Sequence, residues 1–296
     1  MPVNLFKNRR LLSLADRELI TEYFRRYPPR ISEFTFTNLF AWRQSRPVWL
    51  TELNATLLFF ISGKHRIQSP DIVFGPPVGD CDLVEILNTL GNSICAGERF
   101  PAEAADRLSR HGFLIAPDRN NADYLYRVSD LAQLPGRKYA GKRNHIKQCL
   151  EQNRCAYQEL TANLVDECLD MQNRWCAERE CAKDPGLCGE FIAIKEALSH
   201  FEEFQLFGGA IRVNDELKAF SIGERLNETT AVCHFEKAMP RIHGLGQLMN
   251  KWFAIHALKD FQFVNREQDL GIPGLRLAKE SYYPHAMVGK IKIGKP

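Results

Sequence analysis

The chain has 296 residues, of which 45% are hydrophobic and 25% are charged, and its formal net charge is +3. This balance is typical of a globular protein and excludes a disordered, collagen-like or coiled-coil chain. The longest stretches without a charged residue reach about a dozen residues, whereas a membrane-spanning helix needs about 20 predominantly apolar ones, so we expect no transmembrane segment.

The N-terminal segment carries cationic residues without a following apolar stretch, so we predict no signal peptide. The nine cysteines lack the two-residue spacing of metal and redox motifs, which predicts reduced thiols and a cytoplasmic protein. Peripheral attachment to a membrane through an amphipathic start at residues 5–12 is the lesser alternative. Four cysteines form a cluster that we interpret as small apolar side chains on helices, with a metal site as the alternative: Cys168, Cys176, Cys181 and Cys188.

Predicted elements repeat in the same order in the two halves of the chain. The first half has a helix at 14–27, strands at 48–53, 56–61 and 72–74, helices ending near 94 and 110, and strands at 113–116 and 124–128. The second half has helices at 164–177 and 190–200, strands at 206–213, 217–224 and 230–237, a helix at 244–258, a strand at 261–265, a helix at 274–281 and a strand at 286–293. We therefore predict an N-terminal domain at 1–135, a basic linker helix at 136–156, and a C-terminal domain at 157–296 that carries the active site.

The linker is strongly basic. Residues 136–154 contain six cations and one acid. This density is typical of a solvated helix face, but it also suits a track for phosphates of RNA or of anionic lipid headgroups. The residues predicted to bind nucleic acid are Arg137, Lys138, Lys142, Arg143 and Lys147.

An R-x-x-G-x-G run lies between a predicted strand and a predicted helix. Its members are Arg241, Gly244 and Gly246, with Leu245 between the glycines. The first turn of a helix presents unpaired N–H groups that favour an anion, and an arginine adds a charge-assisted contact. Met249 stands where a dinucleotide fingerprint has its third glycine, so we predict a different phosphate-bearing donor. A helix start that merely requires small residues is the alternative.

The preceding strand predicts a catalytic pair. Period-two alternation places Ala231, Cys233 and Phe235 on one face and places His234 with Glu236 on the other. An imidazole and a carboxylate beside an anion site suit general-base catalysis. A charged pair on a solvent-exposed sheet face is the alternative.

A second polar cluster begins where the next strand ends. Side chains at strand ends commonly line sites. We expect this cluster to shape the pocket and to bind an aminoacyl ammonium or another polar acceptor, with an Asp269–Arg276 pair as a structural alternative. Its predicted substrate-binding members are Asn265, Glu267, Asp269, Arg276 and Lys279, followed by Tyr282.

Three motifs carry a resemblance to a known family: Asp123-Tyr124-Leu125-Tyr126, the run from Leu134 to His145, and the run from Asn265 to Tyr282. Over residues 25 to 290 the chain resembles the phosphatidylglycerol lysyltransferase C-terminal domain family. The resemblance implies an α/β fold of two tandem GNAT-like halves, each a mixed sheet flanked by helices, joined by the basic helix. It also implies transfer of an aminoacyl group from charged tRNA to a lipid headgroup, which in the best-understood members is accompanied by a large transmembrane portion.

The first half departs from the R-x-x-G-x-G pattern, since Pro76 and Pro77 remove two N–H donors at the corresponding turn. We therefore expect the donor site in the second half alone. There, Glu236, with or without His234, removes the acceptor proton, and Tyr282 donates a proton to the leaving group.

Three functions remain open at this point. The first is an aminoacyl transferase that uses aminoacyl-tRNA, and the second is an N-acyltransferase that uses acyl-CoA. The third is a non-catalytic ligand-binding module, because a fold alone does not establish a function. We expect no tightly bound cofactor and no metal. The predicted partners are tRNA and either an anionic lipid headgroup or a small amine acceptor.

Overall fold

The computed structural model describes residues 9–62, 70–91 and 94–294. The chain divides into two compact units. Unit 1 comprises Met1–Asp123, Gln268–Leu275 and Met287–Pro296, and unit 2 comprises Tyr124–Glu267 and Arg276–Ala286. This division differs from the one predicted at residues 135 and 156, because the basic helix lies within unit 2 and unit 1 takes in two later segments.

Unit 1 is built from short strands and helices, and three of them were not predicted: a strand at 10–11, a helix at 36–41 and a strand at 96–101. Asp82 is the N-cap of the third helix of this unit, because its carboxylate accepts hydrogen bonds from the amides of Val84 and Glu85. The elements are β1 (Arg10–Leu11), α1 (Arg17–Arg26), α2 (Phe36–Ala41), β2 (Val48–Leu53), β3 (Thr56–Ser62), β4 (Pro70–Phe74), α3 (Leu83–Leu90), β5 (Ala96–Pro101), α4 (Ala105–Arg110) and β6 (Leu114–Pro117).

Unit 2 contains the longer helices and strands. Its elements are β7 (Asp123–Arg127), α5 (Val128–Gln133), α6 (Ala140–Gln152), β8 (Cys155–Glu159), α7 (Val165–Glu178), α8 (Pro185–Ser199), β9 (Phe207–Val213), β10 (Glu216–Arg225), β11 (Thr230–Ala238), α9 (Leu245–His256), β12 (Phe263–Asn265), α10 (Pro273–Glu280) and β13 (Ala286–Val288). Three of them, β7, α10 and β13, cross the unit boundary. The last strand of the chain is β14 (Lys290–Gly294).

The two sheets have the same arrangement of strands. Sheet 1 has the order β1-β2-β3-β4-β5-β14-β6, and sheet 2 has the order β8-β9-β10-β11-β12-β7-β13. In each sheet the fourth and fifth strands pair in parallel, and their neighbours on both sides pair antiparallel. Two mixed sheets flanked by helices confirm the predicted fold class of two GNAT-like halves.

The sixth strand of each sheet comes from the other half of the sequence. In sheet 2 it is β7, where Tyr126 lies opposite Val264 of β12. In sheet 1 it is β14, which pairs with both β5 and β6. At the start of β14 the Lys290 ammonium is fully buried and bonds to the carboxylates of Glu33 at 2.5 Å and Asp123 at 2.6 Å.

The core of unit 2 lies between α9 and sheet 2. Of the apolar residues at helical spacing along α9, Leu245 and Leu248 are buried, Trp252 is half-buried and Ile255 is exposed; Met249 and Phe253 are buried as well. The buried residues pack with strand residues Ala231 and Cys233 and with the tyrosines of β7. The helix start at Gly244 is therefore held in place by packing along the whole helix.

The cysteines differ in part from their predicted state. Cys176 and Cys181 form a disulfide, so the prediction of reduced thiols is wrong for this pair. Spacing in sequence did not reveal the pair, because α7 and the following turn bring the two residues within reach only after folding. Cys168 is buried, and the Cys188 thiol donates to the Cys181 carbonyl. Among the described residues no group of three or more His, Cys, Asp or Glu side chains is placed to hold a metal ion.

The N-terminal segment is only partly described. Residues 5–8 of the predicted amphipathic start lie outside the described residues, and Arg10 and Leu11 form a strand that pairs with β2 rather than a helix. In the part of the chain that the structure covers, every helix is too short or too polar to span a bilayer.

Candidate functional site

His234 is the inserted residue of a β-bulge in β11. Phe235 lies opposite Ile222 of β10 and Cys233 lies opposite Gly223, so two consecutive residues of β10 face positions that are two apart in β11. A bulge interrupts the alternation of side chains along a strand. The predicted common face for His234 and Glu236 is therefore wrong, because Glu236 lies with Cys233 on the side that faces α9.

His234 is buried between two carboxylates. Its Nδ1 lies 2.8 Å from Glu267 and its Nε2 lies 2.8 Å from Glu224. Burial disfavours the charged ring, but the hydrogen bonds and charges of the two glutamates outweigh burial and raise the pKa of His234 to about 9. At neutral pH the ring is an imidazolium that donates from both nitrogens, so it has no lone pair with which to accept a proton.

Glu236 is held by Arg266, which directly follows β12. The Glu236 carboxylate lies 3.0 Å from Nη2 of the guanidinium. The amide oxygen of Asn250, from α9, accepts from both guanidinium nitrogens at 2.6 and 3.1 Å. The same guanidinium lies over the rings of Tyr126 and Tyr282 at 5.7 and 5.3 Å. Glu236, Asn250, Arg266 and Tyr282 together form what we call the arginine cluster.

Tyr282 supplies a buried phenol to this cluster. Its side chain is nine-tenths buried, and within the described part of the chain its hydroxyl makes no hydrogen bond. Burial raises the pKa of the Tyr282 phenol well above its usual value, although the nearby Arg266 acts in the opposite direction. A neutral phenol with a free hydroxyl is the form that could donate a proton.

The R-x-x-G-x-G run divides into a structural part and an open part. Gly244 adopts φ +79°, and a Cβ there would lie 2.1 Å from the carbonyl oxygen of His145 in α6, so it is required for packing. A Cβ on Gly246 would meet nothing within 4 Å. Across the described residues, the amides of Gly246 and Gln247 donate to no acceptor, as at an open helix start.

Arg241 lies at the surface before this turn. Its side chain is 86% exposed and pairs loosely with Glu178 at 3.5 Å. An exposed guanidinium of this kind can turn toward a ligand without breaking a buried contact. Leu245, in contrast, is fully buried and serves the core.

The residues of the second polar cluster contact different partners. Asn265 is buried, and its side chain accepts from the amide of Glu267, which adopts φ +56° in the turn after β12. Asp269, in unit 1, accepts from the amide of Gly271 and from Arg119 at 2.8 Å. Asn265 and Asp269 thus both shape the backbone of this turn.

The two cations of α10 lie on a half-buried face of the helix. The Lys279 ammonium donates to the carbonyl of Arg266 and thereby fixes the backbone that carries the guanidinium. Arg276 is half-buried one turn earlier in α10. Of the predicted substrate-binding residues, Glu267 and Lys279 contact the groups around β11 and β12 most directly.

The basic segment is divided by its contacts. Arg143 donates to the carbonyls of Leu134 and Gly136, which end α5, and Lys147 pairs with Glu151 one turn along α6. Arg137 and Lys138 are exposed, and Lys138 lies over the Tyr283 ring at 4.8 Å. Lys142 turns inward, where its ammonium donates to Ser281 Oγ at 2.7 Å and lies 3.6 Å from the centre of the Tyr282 ring.

The turn of unit 1 that corresponds to the R-x-x-G-x-G run is filled. A Cβ on Gly75 would lie 2.2 Å from the ring of Phe34, so this aromatic side chain occupies the space beside the glycine. Together with the two prolines that follow, this packing leaves no space beside Gly75 for an anion.

Three residues of the site were not identified as such in the sequence. Glu224 lies near the end of a buried strand and pairs with His234. A single carboxylate in an otherwise apolar strand could have indicated that Glu224 has a role in the site. Asn250 is a polar residue on the buried face of α9, four residues after Gly246, which the helical period could have revealed. Lys142 looks like one more cation of a basic helix, and only folding distinguishes it.

The fold of two GNAT-like halves belongs to a class of folds that includes acyl and aminoacyl transferases. The family model for the C-terminal domain of phosphatidylglycerol lysyltransferase matches residues 24–291. The chain therefore belongs to that family, which confirms the resemblance drawn from its motifs. Comparison with curated proteins gives no match.

Solved structures agree with this assignment. A conserved protein of unknown function from Bacteroides thetaiotaomicron is 31% identical, with a TM-score of 0.87 over 97% of this chain and 99% of that one. The C-terminal domain of a putative lysylphosphatidylglycerol synthetase from Agrobacterium fabrum is 14% identical, with a TM-score of 0.66 over 95% and 92%. L-PGS from Bacillus licheniformis is 13% identical, with a TM-score of 0.64 over 95% and 92%. The last two share the fold with this chain.

Proposed function

We propose that unit 2 transfers an aminoacyl group from aminoacyl-tRNA to a hydroxyl or amine acceptor, with an anionic lipid headgroup as the acceptor that the family suggests. One observation carries the proposal. Asn250, which binds Arg266, lies one helical turn after Gly246, about 6 Å along the axis of α9. The arginine cluster and the open amides are therefore neighbours, as a reaction on a phosphate-bearing donor requires.

The chemistry follows from the groups that surround this point. The Glu236 carboxylate accepts the proton of the attacking hydroxyl or amine, and Arg266 holds that carboxylate in place. The acceptor atom forms a bond to the acyl carbon, and the bond between that carbon and the oxygen of the donor ribose breaks. Tyr282 gives its phenolic proton to the departing oxygen. His234, as a fixed cation, keeps Glu224 and Glu267 in position and takes no proton from the substrate.

The donor is held by its phosphates. The amides of Gly246 and Gln247 provide two donors at the positive end of α9, and the exposed Arg241 adds a mobile charge. Arg137 and Lys138 provide surface charge for a longer nucleic acid. A reaction that consumes charged tRNA takes place in the cytoplasm, so the proposal carries that location with it.

Acyl-CoA is the second candidate donor. The open amides of α9 with Arg241 nearby would suit its pyrophosphate, and they need no contribution from Arg137 or Lys138. The acceptor in that case is a small amine. The two donors differ in salt dependence, because neutralising several phosphates of an RNA makes binding fall steeply with salt.

The test is a transfer assay with the purified full chain. Radiolabelled aminoacyl-tRNA and acetyl-CoA are each offered with phosphatidylglycerol vesicles and, separately, with a small amine. We expect transfer from aminoacyl-tRNA, with Glu236→Gln lowering the rate by about 10²-fold or more. The matched control is Glu228→Gln, which removes an exposed carboxylate from the loop before β11 and leaves the rate unchanged. Tight donor binding without transfer to either acceptor would instead establish a non-catalytic binding module.

A further inference from the structure

Lys142 differs from the other cations of its helix in what it contacts. It lies in the first turn of α6, and its ammonium donates to Ser281 Oγ at 2.7 Å while lying 3.6 Å from the centre of the Tyr282 ring. Its side chain is half-buried, so one side meets the arginine cluster and the other meets solvent. Lys147, on the same helix, is exposed and pairs with Glu151.

No carboxylate neutralises Lys142 among the described residues. The charged or titratable groups that face it are Arg266 and Tyr282, and Glu236 reaches it only through Arg266. Burial first, and the repulsion from Arg266 second, lower the pKa of Lys142 to about 8. The ammonium is therefore a better proton donor than an ordinary lysine, although it remains mostly charged at neutral pH.

Tyr282 is the group that would use such a donor. When the largely buried Tyr282 side chain gives up its proton, it leaves a phenolate that is poorly solvated, which is costly without a nearby cation. Lys142 and Arg266 both lie within 5.3 Å of the centre of its ring. Arginine stays charged, so of these two only the lysine can also return a proton.

We propose that Lys142 is a catalytic residue that stabilises the Tyr282 phenolate and reprotonates it, rather than a contact for nucleic acid. This inference rests on the proposed function. In each cycle the bond from the acyl carbon to the donor oxygen breaks, its electron pair stays on that oxygen, and the oxygen takes the Tyr282 proton. A proton then passes from the Lys142 ammonium, directly or through one water, to the phenolate. Solvent reprotonates Lys142 at its exposed side, and Glu236 releases the acceptor proton to solvent.

The test compares two substitutions of Lys142. Lys142→Arg keeps the positive charge but cannot release a proton near neutral pH, and Lys142→Met removes both. We expect kcat to fall about 10²-fold in Lys142→Arg and further in Lys142→Met, with KM for aminoacyl-tRNA changed less than twofold in both. Lys195→Met, an exposed lysine of α8, is the control for loss of one charge, and thermal unfolding checks that each variant folds.

The pH profile supplies a second measurement. Because the active form is the ammonium, kcat of the wild type should fall as pH rises through about 8, and Lys142→Arg should lack this decline. A Lys142→Arg variant with the kcat and alkaline decline of the wild type would overturn the inference. So would Lys142→Met and Lys147→Met variants that both raise KM for tRNA and leave kcat unchanged.

The two levels of proposal fail in different ways. If the wild-type chain transfers nothing from either donor, the proposed function fails and the role of Lys142 fails with it. If the wild type transfers normally and the arginine variant does too, only the role of Lys142 fails.

Discussion

Glu236 and Arg266 form an ion pair, with 3.0 Å between the carboxylate and Nη2, that joins adjacent parallel strands of sheet 2. The pair lies beneath the first turns of α9, which adds Asn250 as a further acceptor for the guanidinium. Both side chains are largely buried, so each depends on the other for solvation.

Removing one partner of this pair should destabilise the fold. Arg266→Met leaves Glu236 without its cation, and we expect the free energy of unfolding to fall by about 2–3 kcal/mol. Urea unfolding of Arg266→Met, Glu236→Gln and the double variant measures the coupling. The double variant should be destabilised by less than the sum of the single changes. Strictly additive effects would mean that the two groups do not stabilise each other.

His234 makes stability depend on pH. Its pKa is about 9 in the folded chain and 6.5 ordinarily, so its contribution is fully present below about pH 6.5 and is lost as pH rises through 9. A raised pKa of this size corresponds to about 3 kcal/mol. The free energy of unfolding, measured at pH 6, 7.5 and 9, should therefore decline, and His234→Gln should flatten that decline. The control is His111→Gln, an exposed histidine of unit 1; the same flattening in that variant would contradict the assignment.

The two glycines before and within α9 should respond oppositely to alanine. Gly244→Ala places a methyl against the His145 carbonyl in a left-handed conformation, and we expect a loss of at least about 2 kcal/mol. Gly246→Ala fills open space in a helix and should stabilise by about 0.4–1 kcal/mol. If the amides there hold the donor, Gly246→Ala should nevertheless weaken donor binding about tenfold. Calorimetry and donor titration together check both results, and unchanged donor binding would move the phosphate site elsewhere.

Replacing the buried Lys290 should destabilise unit 1. Lys290→Met leaves Glu33 and Asp123 as buried carboxylates without their shared cation, and we expect a loss of about 3–5 kcal/mol. Lys292, two residues later in β14, pairs with Glu98 at the surface, so Lys292→Met should cost less than about 0.5 kcal/mol. Chemical unfolding of the two variants compares a buried and an exposed ion pair on one strand. Equal effects would show that burial does not matter there.

Much of the fold could be predicted from the sequence because its signals are local. The helix α9 and the strands β9, β10 and β11 each follow from residues that are neighbours in the sequence. The sheet that β7 or β14 joins could not be predicted in this way, because an apolar strand carries no local signal for the strands with which it pairs. The buried charge of Lys290 is visible only once Glu33 and Asp123 are placed beside it.

The candidate site was predicted in part for the same reason. Glu236, Gly246 and Tyr282 follow from residue type and position. The bulge at His234 does not, because a single inserted residue leaves the sequence pattern intact while it turns the following side chains over. The inward orientation of Lys142 also could not be predicted, because the sequence of a basic helix does not show which of its cations faces the interior.

Because β14 belongs to sheet 1, the two sheets differ in when they can finish folding during translation. Six of the seven strands of sheet 2 lie within residues 123–265, so all but its edge strand β13 can pair before residues 290–294 are synthesised. Sheet 1 has strands from the first residues described, yet it must wait for residues 290–294 before β5 and β6 gain their shared neighbour. The half that is translated first is thus the half that finishes last, and its open edge is exposed to chaperones or to aggregation until then.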